Sequence, residues 1–375
     1  MKIMSAGPTS IAERVQQALV RDFTNTDLDR NYPEIQHEAE RKVSSLLNTK
    51  AATFLMLAEP MAGLDGACAS FVEPGSRALC LVNGPFSQFL ADFVKLYGGD
   101  PVCWNLNQRT GVDLEELKSY LESDHDFQLA TLVHCETPTG VSQDIHAIGA
   151  LLRSYGIMTI VDSVSGLGGE AIDFDRSQID CLISGSQKCL SAPVGLTTIT
   201  LSERATQFLI NRQSPVRTYY TNFRTYLLEE EFEFPYTQSG NLVYALSEAL
   251  DMTLSHDYAA HHASYAQRTR RAIEMAGLEI FAQKNRSNTV TAILLPDGVD
   301  GDRILDRMQD HGYILSGGLN QWHGHIVRIA HMGNNIAEES EFIKMLAQLS
   351  VILREEGVSL SIDLDEAFRQ SGQEL

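Results

Sequence analysis

Two kinds of hydrophobic pattern alternate along most of the chain. Short runs that are apolar throughout predict strands buried on both faces, and segments whose apolar residues recur every three or four positions predict amphipathic helices. Such strands, separated by helices, form a mostly parallel sheet that is covered on both sides. The predicted strands of this α/β part are residues 77–82, 129–134, 157–162, 181–184 and 196–201.

The pattern changes near residue 241, where two helical segments, 242–254 and 258–276, follow each other directly. Shorter elements alternate beyond them, which predicts a smaller α+β domain. These elements are a strand at 289–295, a helix at 302–310, strands at 313–316 and 325–330, and a helix at 338–356. We expect an N-terminal arm at 1–15, a large α/β domain at 16–250 and a small α+β domain at 251–375. The last residues are acidic, at Asp363, Asp365, Glu366 and Glu374, and are expected to end in a frayed tail.

Composition narrows the class of protein. The chain has 375 residues, and its 29 Lys and Arg against 49 Asp and Glu give a net charge of −20, which disfavours nucleic acids and anionic membranes as partners. No apolar run is long enough for a transmembrane helix, and the first residues lack the apolar stretch of a secretory signal. The six cysteines form no C-x-x-C pair, so we expect reduced thiols in a cytoplasmic protein and no metal site.

Two charged residues stand at the ends of predicted buried strands. Asp162 ends the strand 157–162, and Lys188 lies just beyond the strand 181–184. Taken alone, Asp162 could cap a turn and Lys188 could be a solvated surface residue. The carboxyl ends of parallel strands meet at one edge of a sheet, so the two side chains can converge on one ligand. An aldehyde-bearing pyridinium cofactor requires such a pair, a lysine that forms a Schiff base and an acid at the ring nitrogen.

Several ordered motifs resemble one enzyme family over nearly the whole chain. They resemble the class V aminotransferases of pyridoxal 5′-phosphate (PLP) fold type I, in the branch of the serine–pyruvate, alanine–glyoxylate and 2-aminoethylphosphonate–pyruvate aminotransferases. The motifs are Ser5-Ala6-Gly7-Pro8-Thr9, His134-Cys135-Glu136-Thr137-Pro138-Thr139-Gly140, Val161-Asp162-Ser163-Val164-Ser165, Ser184-Gly185-Ser186-Gln187-Lys188 and Arg328-Ile329-Ala330-His331-Met332-Gly333. The resemblance implies a large domain with a mostly parallel mixed sheet and a smaller α+β C-terminal domain.

The resemblance also implies roles for individual residues. Lys188 would hold PLP as a Schiff base and move a proton, and Asp162 would keep the pyridine nitrogen protonated. Phe86 would stack on the ring, although plain core packing would explain an aromatic there equally well. Thr139 would hydrogen-bond near the phenolic oxygen of the cofactor, or else serve as a turn residue. Arg328 would bind the substrate carboxylate through its planar guanidinium, where an isolated arginine would form a surface salt bridge.

A phosphate site shared between two subunits is a further implication of the family. Ser186 and Gln187 lie where the family contacts the phosphate of PLP. Tyr236 and Thr237 match a segment that reaches the phosphate of the neighbouring subunit. The resemblance therefore implies a homodimer with shared active sites.

One segment departs from the family pattern. The family usually has a Gly-Ser-Gly-Thr-like loop, whose backbone N–H groups bind the phosphate at a helix start. Here the matching residues include Glu59, which brings a negative charge unless it points away, and Pro60, which has no N–H. Amides of Met61, Ala62 and Gly63 could still serve the phosphate. A weaker phosphate site, a rebuilt loop and a different chemistry all stay open.

The expected reaction moves an amino group from a small donor, such as alanine or serine, to pyruvate or glyoxylate. Three alternatives remain: a 2-aminoethylphosphonate–pyruvate transaminase, from a weak likeness at residues 25–32; a PLP-dependent lyase on the same fold; and a non-catalytic protein, from the altered segment 58–62. A lyase of the desulfurase type needs a mobile catalytic cysteine, which neither Cys135 nor Cys189 resembles in its sequence context.

Overall fold

The computed structural model describes residues 1–22, 24–228 and 234–373 of the chain. Its strands are β1 (Lys2–Ile3), β2 (Ala52–Leu57), β3 (Arg77–Val82), β4 (Asp100–Asn105), β5 (Leu129–Val133), β6 (Cys135–Glu136), β7 (Val141–Ser142), β8 (Met158–Asp162), β9 (Cys181–Gly185), β10 (Leu196–Leu201), β11 (Glu279–Ile280), β12 (Val290–Leu294), β13 (Tyr313–Ile314), β14 (Ser316–Gly317) and β15 (Ile326–Ala330). Its helices are α1 (Glu13–Leu19), α2 (Tyr32–Leu46), α3 (Pro60–Phe71), α4 (Pro85–Leu96), α5 (Leu114–Ser123), α6 (Ile145–Ser154), α7 (Phe174–Ser177), α8 (Glu203–Asn211), α9 (Phe223–Leu228), α10 (Gly240–Leu254), α11 (Tyr258–Met275), α12 (Gly301–Asp310), α13 (Glu339–Glu355) and α14 (Leu364–Ser371), with short 3₁₀ helices at Asn320–Trp322 and Gly333–Ile336.

A seven-stranded sheet forms the centre of the large domain, in the order β2-β10-β9-β8-β5-β3-β4. Every neighbouring pair is parallel except the two pairs of β10, which runs against both β2 and β9. The expected mostly parallel mixed sheet is therefore confirmed. Strands β3 and β10 have their predicted bounds, and β5, β8 and β9 each differ by one residue at one end.

Helices cover both faces of this sheet, which explains why its central strands are apolar throughout. On β8, Val161 belongs to a core cluster with Val43 of α2 and Leu246 of α10. The preceding residue, Ile160, points to the other face and belongs to a cluster with Leu64 of α3. Because the central strands β5, β8 and β9 are buried on both faces, their polar side chains gather at the strand ends, where ligands of such sheets bind.

The small domain is built on a four-stranded antiparallel sheet in the order β11-β12-β15-β14. Its core joins this sheet to α11, α12, α13 and α14. The N-terminal arm belongs to the same packing, because β1 pairs with β13 and Met4 is buried in this core. Helix α10 crosses residue 250, and the predicted domain bounds stay a prediction.

Two expectations for the C-terminal part need correction. Residues 363–373 do not form a frayed tail, because α14 buries Leu364, Ala367 and Phe368 in the small-domain core, and Glu374 lies outside the described residues. The strand predicted at 313–316 divides into β13 and β14, which join different sheets. Among the described residues, we find no helix with the length and apolarity that crossing a bilayer would require.

Candidate active site

Asp162 and Lys188 meet at the carboxyl edge of the large sheet. Asp162 is the last residue of β8, and Lys188 lies three residues after the end of the adjacent parallel strand β9. Both line one cavity of about 270 Å³, together with Phe86, Met61 and Gln187. The structure thus brings together these five residues that the sequence singled out.

The charges in this cavity shift each other's protonation. Burial raises the pKa of Asp162 to about 6, with Lys188 opposing the rise and Glu59 adding to it. Burial also lowers the pKa of Lys188, and the nearby positive charge of Arg328 lowers it further. A lysine with a lowered pKa more readily presents a neutral amine, which is the form that attacks carbonyl carbons and accepts protons.

The N-terminal arm forms one wall of the cavity and restrains the lysine. The Lys188 Nζ donates a hydrogen bond of 2.7 Å to the carbonyl oxygen of Ala6. A Cβ at Gly7, whose φ is +96°, would lie 2.2 Å from the Lys188 Cδ, so only glycine fits there. The Thr9 hydroxyl donates to the carbonyl of Lys188 at 3.0 Å. The sequence showed residues 5–9 as a motif that resembles the family, but it gave none of them a role in the site.

Phe86 is held at the cavity by a buried carboxylate that sequence reasoning missed. Phe86 lies in the first turn of α4, and its backbone N–H donates to Glu136 Oε1 at 3.0 Å. The Ser87 hydroxyl donates to the other Glu136 oxygen at 3.1 Å. Burial, with a contribution from the charge of Asp162, raises the pKa of Glu136 to about 7. The carboxylate therefore caps α4 and sets the position of the Phe86 ring.

Arg328 approaches the lysine from the small domain. It lies in the middle of β15, pairs in register with Ser316 of β14, and is only 8% exposed. Its Nε donates to the carbonyl of Gly317 at 2.6 Å, and burial lowers its pKa to about 10. No carboxylate among the described residues forms an ion pair with this guanidinium. The charge is therefore available to an anion that enters from outside.

Two predicted cofactor contacts are occupied by the backbone of their own chain. The Thr139 hydroxyl donates to the carbonyl of Glu136 at 3.1 Å, as a turn residue would. The Ser186 hydroxyl donates to the carbonyl of Pro193 at 2.6 Å. Neither side chain lines the cavity. Their roles as cofactor contacts stay predictions.

Tyr236 and Thr237 lie outside the cavity of their own chain. The Tyr236 hydroxyl donates to the carbonyl of Tyr219 at 2.8 Å, and its ring stacks on Tyr220 at 4.4 Å between centroids. The Thr237 hydroxyl donates to a carboxylate oxygen of Asp27 at 2.7 Å. These residues line a separate surface pocket, which also includes part of the segment 25–32.

The start of α3 closes the far end of the cavity, and its amides are already used. The Met61 N–H donates to Glu59 Oε2 at 2.8 Å, so the glutamate caps its own helix. The Ala62 N–H donates to the backbone carbonyl of Glu59 at 2.9 Å. Gln187 Nε2 donates to the other carboxylate oxygen, Oε1, at 3.2 Å. Glu59 thus points into the site, not away from it.

Comparison with known proteins identifies the family. The model of the class V aminotransferases matches residues 4–332. The chain belongs to the class V aminotransferases. It is 32% identical to an uncharacterised aminotransferase of Methanocaldococcus jannaschii, over 95% of this chain and 93% of that protein. It is 31% identical to the serine–glyoxylate aminotransferase of Arabidopsis thaliana, over 94% of this chain and 90% of that protein.

The solved structures agree with this assignment. The pyridoxamine–pyruvate aminotransferase of Mesorhizobium loti superposes with a TM-score of 0.93 at 26% identity, covering 100% of this chain and 97% of that one. PLP fold type I is therefore confirmed, and so is the family resemblance seen in the motifs. The relatives of this class V aminotransferase support PLP-dependent transamination to pyruvate or glyoxylate.

The residues of this aminotransferase fit one end of PLP and not the other. At the ring end, Lys188, Asp162 and Phe86 offer an amine, an acid and an aromatic face. At the far end, where the family binds the phosphate, the helix start presents the carboxylate of Glu59 and the ring of Pro60. A carboxylate that already accepts the Met61 amide repels a phosphate, since both are anions. The phosphate end therefore does not fit.

Proposed function

We propose that this aminotransferase moves an amino group from a small amine to pyruvate or glyoxylate at the cavity lined by Lys188 and Asp162, with Arg328 close to the lysine. The observation that supports it best is the unpaired, buried charge of Arg328 near the lysine. A 2-oxo acid supplies the carboxylate that this guanidinium lacks, and it places its keto carbon toward the Lys188 amine.

Each of these side chains has a distinct task. Arg328 binds the carboxylate through charge-assisted hydrogen bonds, which orient the acceptor. The Lys188 amine accepts a proton from the carbon that gives up the amino group and returns it to the carbon that receives it. Asp162 would hold the ring nitrogen of a pyridine ligand, and its carboxylate would favour the protonated ring. Phe86 covers the ring face, and the N-terminal arm at Ala6 and Gly7 restrains the lysine.

The lyase alternative finds less support. Burial raises the pKa of Cys135 to about 12 and that of Cys189 well above its ordinary value, so neither thiol is a ready nucleophile for a desulfurase-like lyase. The segment 25–32, on which an aminophosphonate donor was considered, lies beside Thr237 and outside the cavity of its own chain, and the aminophosphonate donor stays an alternative.

We also propose a homodimer in which Tyr236 and Thr237 complete the site of the neighbouring subunit. An exposed aromatic surface supports it, since Tyr219 is 84% exposed beside Tyr220 and Tyr236. Large exposed aromatic side chains of this kind are typical of contact surfaces. Light scattering should give twice the chain mass of 41.5 kDa, and a mass of one chain would contradict the dimer.

The six free cysteines support our proposal that the protein works in the reducing cytoplasm.

Replacement of the lysine tests the function. Isotope-labelled pyruvate and glyoxylate are incubated with the purified protein, with PLP present, and with alanine, serine or pyridoxamine as donor. Labelled alanine or glycine is expected from the wild-type protein, and Lys188→Ala should reduce its rate roughly 10²- to 10⁴-fold because the proton acceptor is gone. Lys95→Ala, at an exposed position of α4, is the matched control and should keep the full rate. A Lys188→Ala rate within about tenfold of wild type would refute the assignment.

A further inference from the structure

We propose that the pyridine ligand of this site is an unphosphorylated vitamer, pyridoxamine or pyridoxal, whose 5′-hydroxymethyl group lies where the family binds a phosphate. The inference rests on the proposed function, because it identifies the amine that gives up its amino group at Lys188. It starts from the disagreement between the phosphate and the start of α3.

The helix start is the first part of the argument. An N-terminus of a helix attracts anions through its free amides. In α3 the first residue is Pro60, which has no N–H, and the Met61 amide is taken by the Glu59 carboxylate at 2.8 Å. The negative charge that such a helix end favours is therefore already present within the chain.

Gln187 gives the second, independent observation. It is only 4% exposed and lines the cavity. Its Nε2 donates to Glu59 Oε1 at 3.2 Å, which leaves its own Oε1 buried without a partner among the described residues. Because a carboxylate accepts and never donates, Glu59 fixes this orientation of the amide. The cavity end therefore presents a buried hydrogen-bond acceptor that needs a donor.

A hydroxymethyl group supplies that donor and a phosphate does not. The hydroxyl has one O–H, which can donate to Gln187 Oε1 or to Glu59, whereas a phosphate near neutral pH is mostly a dianion that only accepts. Among the described residues that line the cavity, Lys188 is the one cation, and it is engaged at the ring end. A phosphate would add its charge to the carboxylates of Glu59 and Asp162 with no further cation to balance it.

The surface segment with Tyr236 and Thr237, which the family uses to bind the phosphate, also supports an unphosphorylated ligand. The hydroxyl proton of Thr237 is donated to Asp27, and that of Tyr236 to the carbonyl of Tyr219. Both hydroxyls are thus already engaged within their own chain. Even in a dimer, they would have to give up these bonds before donating to a phosphate.

The proposed exchange is balanced without an outside oxidant. The aminomethyl carbon of pyridoxamine loses two electrons and its nitrogen and becomes the aldehyde of pyridoxal. The keto carbon of the 2-oxo acid gains two electrons and that nitrogen, and its oxygen ends on the aldehyde by exchange with water. One proton passes from the first carbon to the second through the Lys188 amine. The vitamer is then a substrate that leaves, not a resident cofactor.

Calorimetric titration of the full-length protein with pyridoxamine and with pyridoxamine 5′-phosphate tests the proposal. The wild-type protein should bind pyridoxamine at least tenfold more tightly. Glu59→Gln removes the charge and keeps an acceptor for Met61, so it should shift the ratio of the two dissociation constants toward the phosphate by at least tenfold. Asp113→Asn is the matched control, because Asp113 caps α5 through two amides outside the cavity, and it should leave the ratio unchanged.

The outcomes separate this inference from the proposed function. Tighter binding of the phosphate by the wild type, or a ratio that Glu59→Gln leaves within twofold, overturns the inference. If the protein prefers the phosphate and still forms labelled alanine or glycine, the proposed function stands and only the inference fails. If neither vitamer binds and no donor gives product, both fail. Should Glu59→Gln not fold, the wild-type ratio and the identity of the aldehyde released, pyridoxal or its phosphate, decide the question.

Discussion

Replacement of Arg328 should make the protein more stable and less active at the same time. The free protein buries this guanidinium at 8% exposure, where its Nε donates one hydrogen bond to the carbonyl of Gly317. Burial lowers its pKa from the ordinary value of a guanidinium to about 10, which corresponds to about 3 kcal/mol against the charged form. A bound carboxylate substrate would relieve this cost. The position of Arg328 therefore favours ligand binding and lowers the stability of the free protein.

The sign of the stability effect follows from the charge state. At pH 7.5 the arginine is charged in both the folded and the unfolded chain, and only the folded chain bears the desolvation cost. That cost is relieved only when the pH rises through about 10 toward the ordinary pKa of a guanidinium. Arg328→Met removes it and also loses the charge-assisted hydrogen bond to Gly317, worth about 1.5–3 kcal/mol. We expect the free energy of unfolding at pH 7.5 to rise by about 1 kcal/mol.

The effect on activity has the opposite sign. A hydrogen bond to a charged group contributes about 1.5–3 kcal/mol, so kcat/KM for pyruvate or glyoxylate should fall roughly 10- to 150-fold in Arg328→Met. Urea titration measures the stability, and the rate at varied 2-oxo acid measures kcat/KM. Arg354→Met, which removes a half-exposed arginine paired with Asp363 in the same domain, should change both little. A less stable Arg328→Met with unchanged kcat/KM would refute the reasoning.

The remaining predictions concern one titration and one packing contact. The kcat/KM should fall as the pH drops through about 6, because burial raises the pKa of Asp162 to about 6 and the neutral acid no longer favours a protonated ring. In Asp162→Asn, kcat/KM should be low at every pH. A fall of kcat/KM near pH 6 that persists in this variant would show that another group titrates there. The same raised pKa should make the free protein more stable as the pH falls from about 6 toward 4. Phe368→Ala should lower the free energy of unfolding by about 3–5 kcal/mol in urea titration, since the ring is buried against Phe342, and a cost under about 1 kcal/mol would mean that α14 frays after all.

The strands of the large sheet could be predicted because their environment is uniform. A strand covered on both faces needs apolar side chains at every position, and β3 and β10 therefore appear in the sequence with their true bounds. Helix α3 gives no comparable signal, because most of its surface is buried and small residues such as Gly66 and Ala67 interrupt any helical stripe. In α14, the acidic outer face conceals an apolar stripe of the ordinary helical spacing at Leu364, Ala367 and Phe368.

Some residues of the site could also be predicted from the sequence, and others could not. Asp162 and Lys188 could be located because adjacent parallel strands bring their carboxyl ends together, which is a rule of topology. The contact between Ala6 and Lys188 spans 182 residues, and no local pattern predicts such a pairing. Glu136 stands in a recognised motif, yet its role depends on the N-terminus of α4 lying directly opposite, which only the folded chain shows.

Glu59 marks the limit of what the sequence could decide, since its charge was visible and its direction was not. If its side chain swung out to admit a phosphate, the Met61 amide would lose its acceptor and Gln187 would lose its partner. Gln187 is buried, so its amide left without an acceptor costs about 1–3 kcal/mol, whereas the bond between Met61 and Glu59 is exposed to solvent and its loss costs less. A phosphate could compensate for both bonds only by accepting from the same two donors, while the exposed Glu59 carboxylate turned to solvent. A hydroxymethyl group asks for no such rearrangement, because it can donate to Glu59 while the bonds of Glu59 to Met61 and Gln187 stay in place.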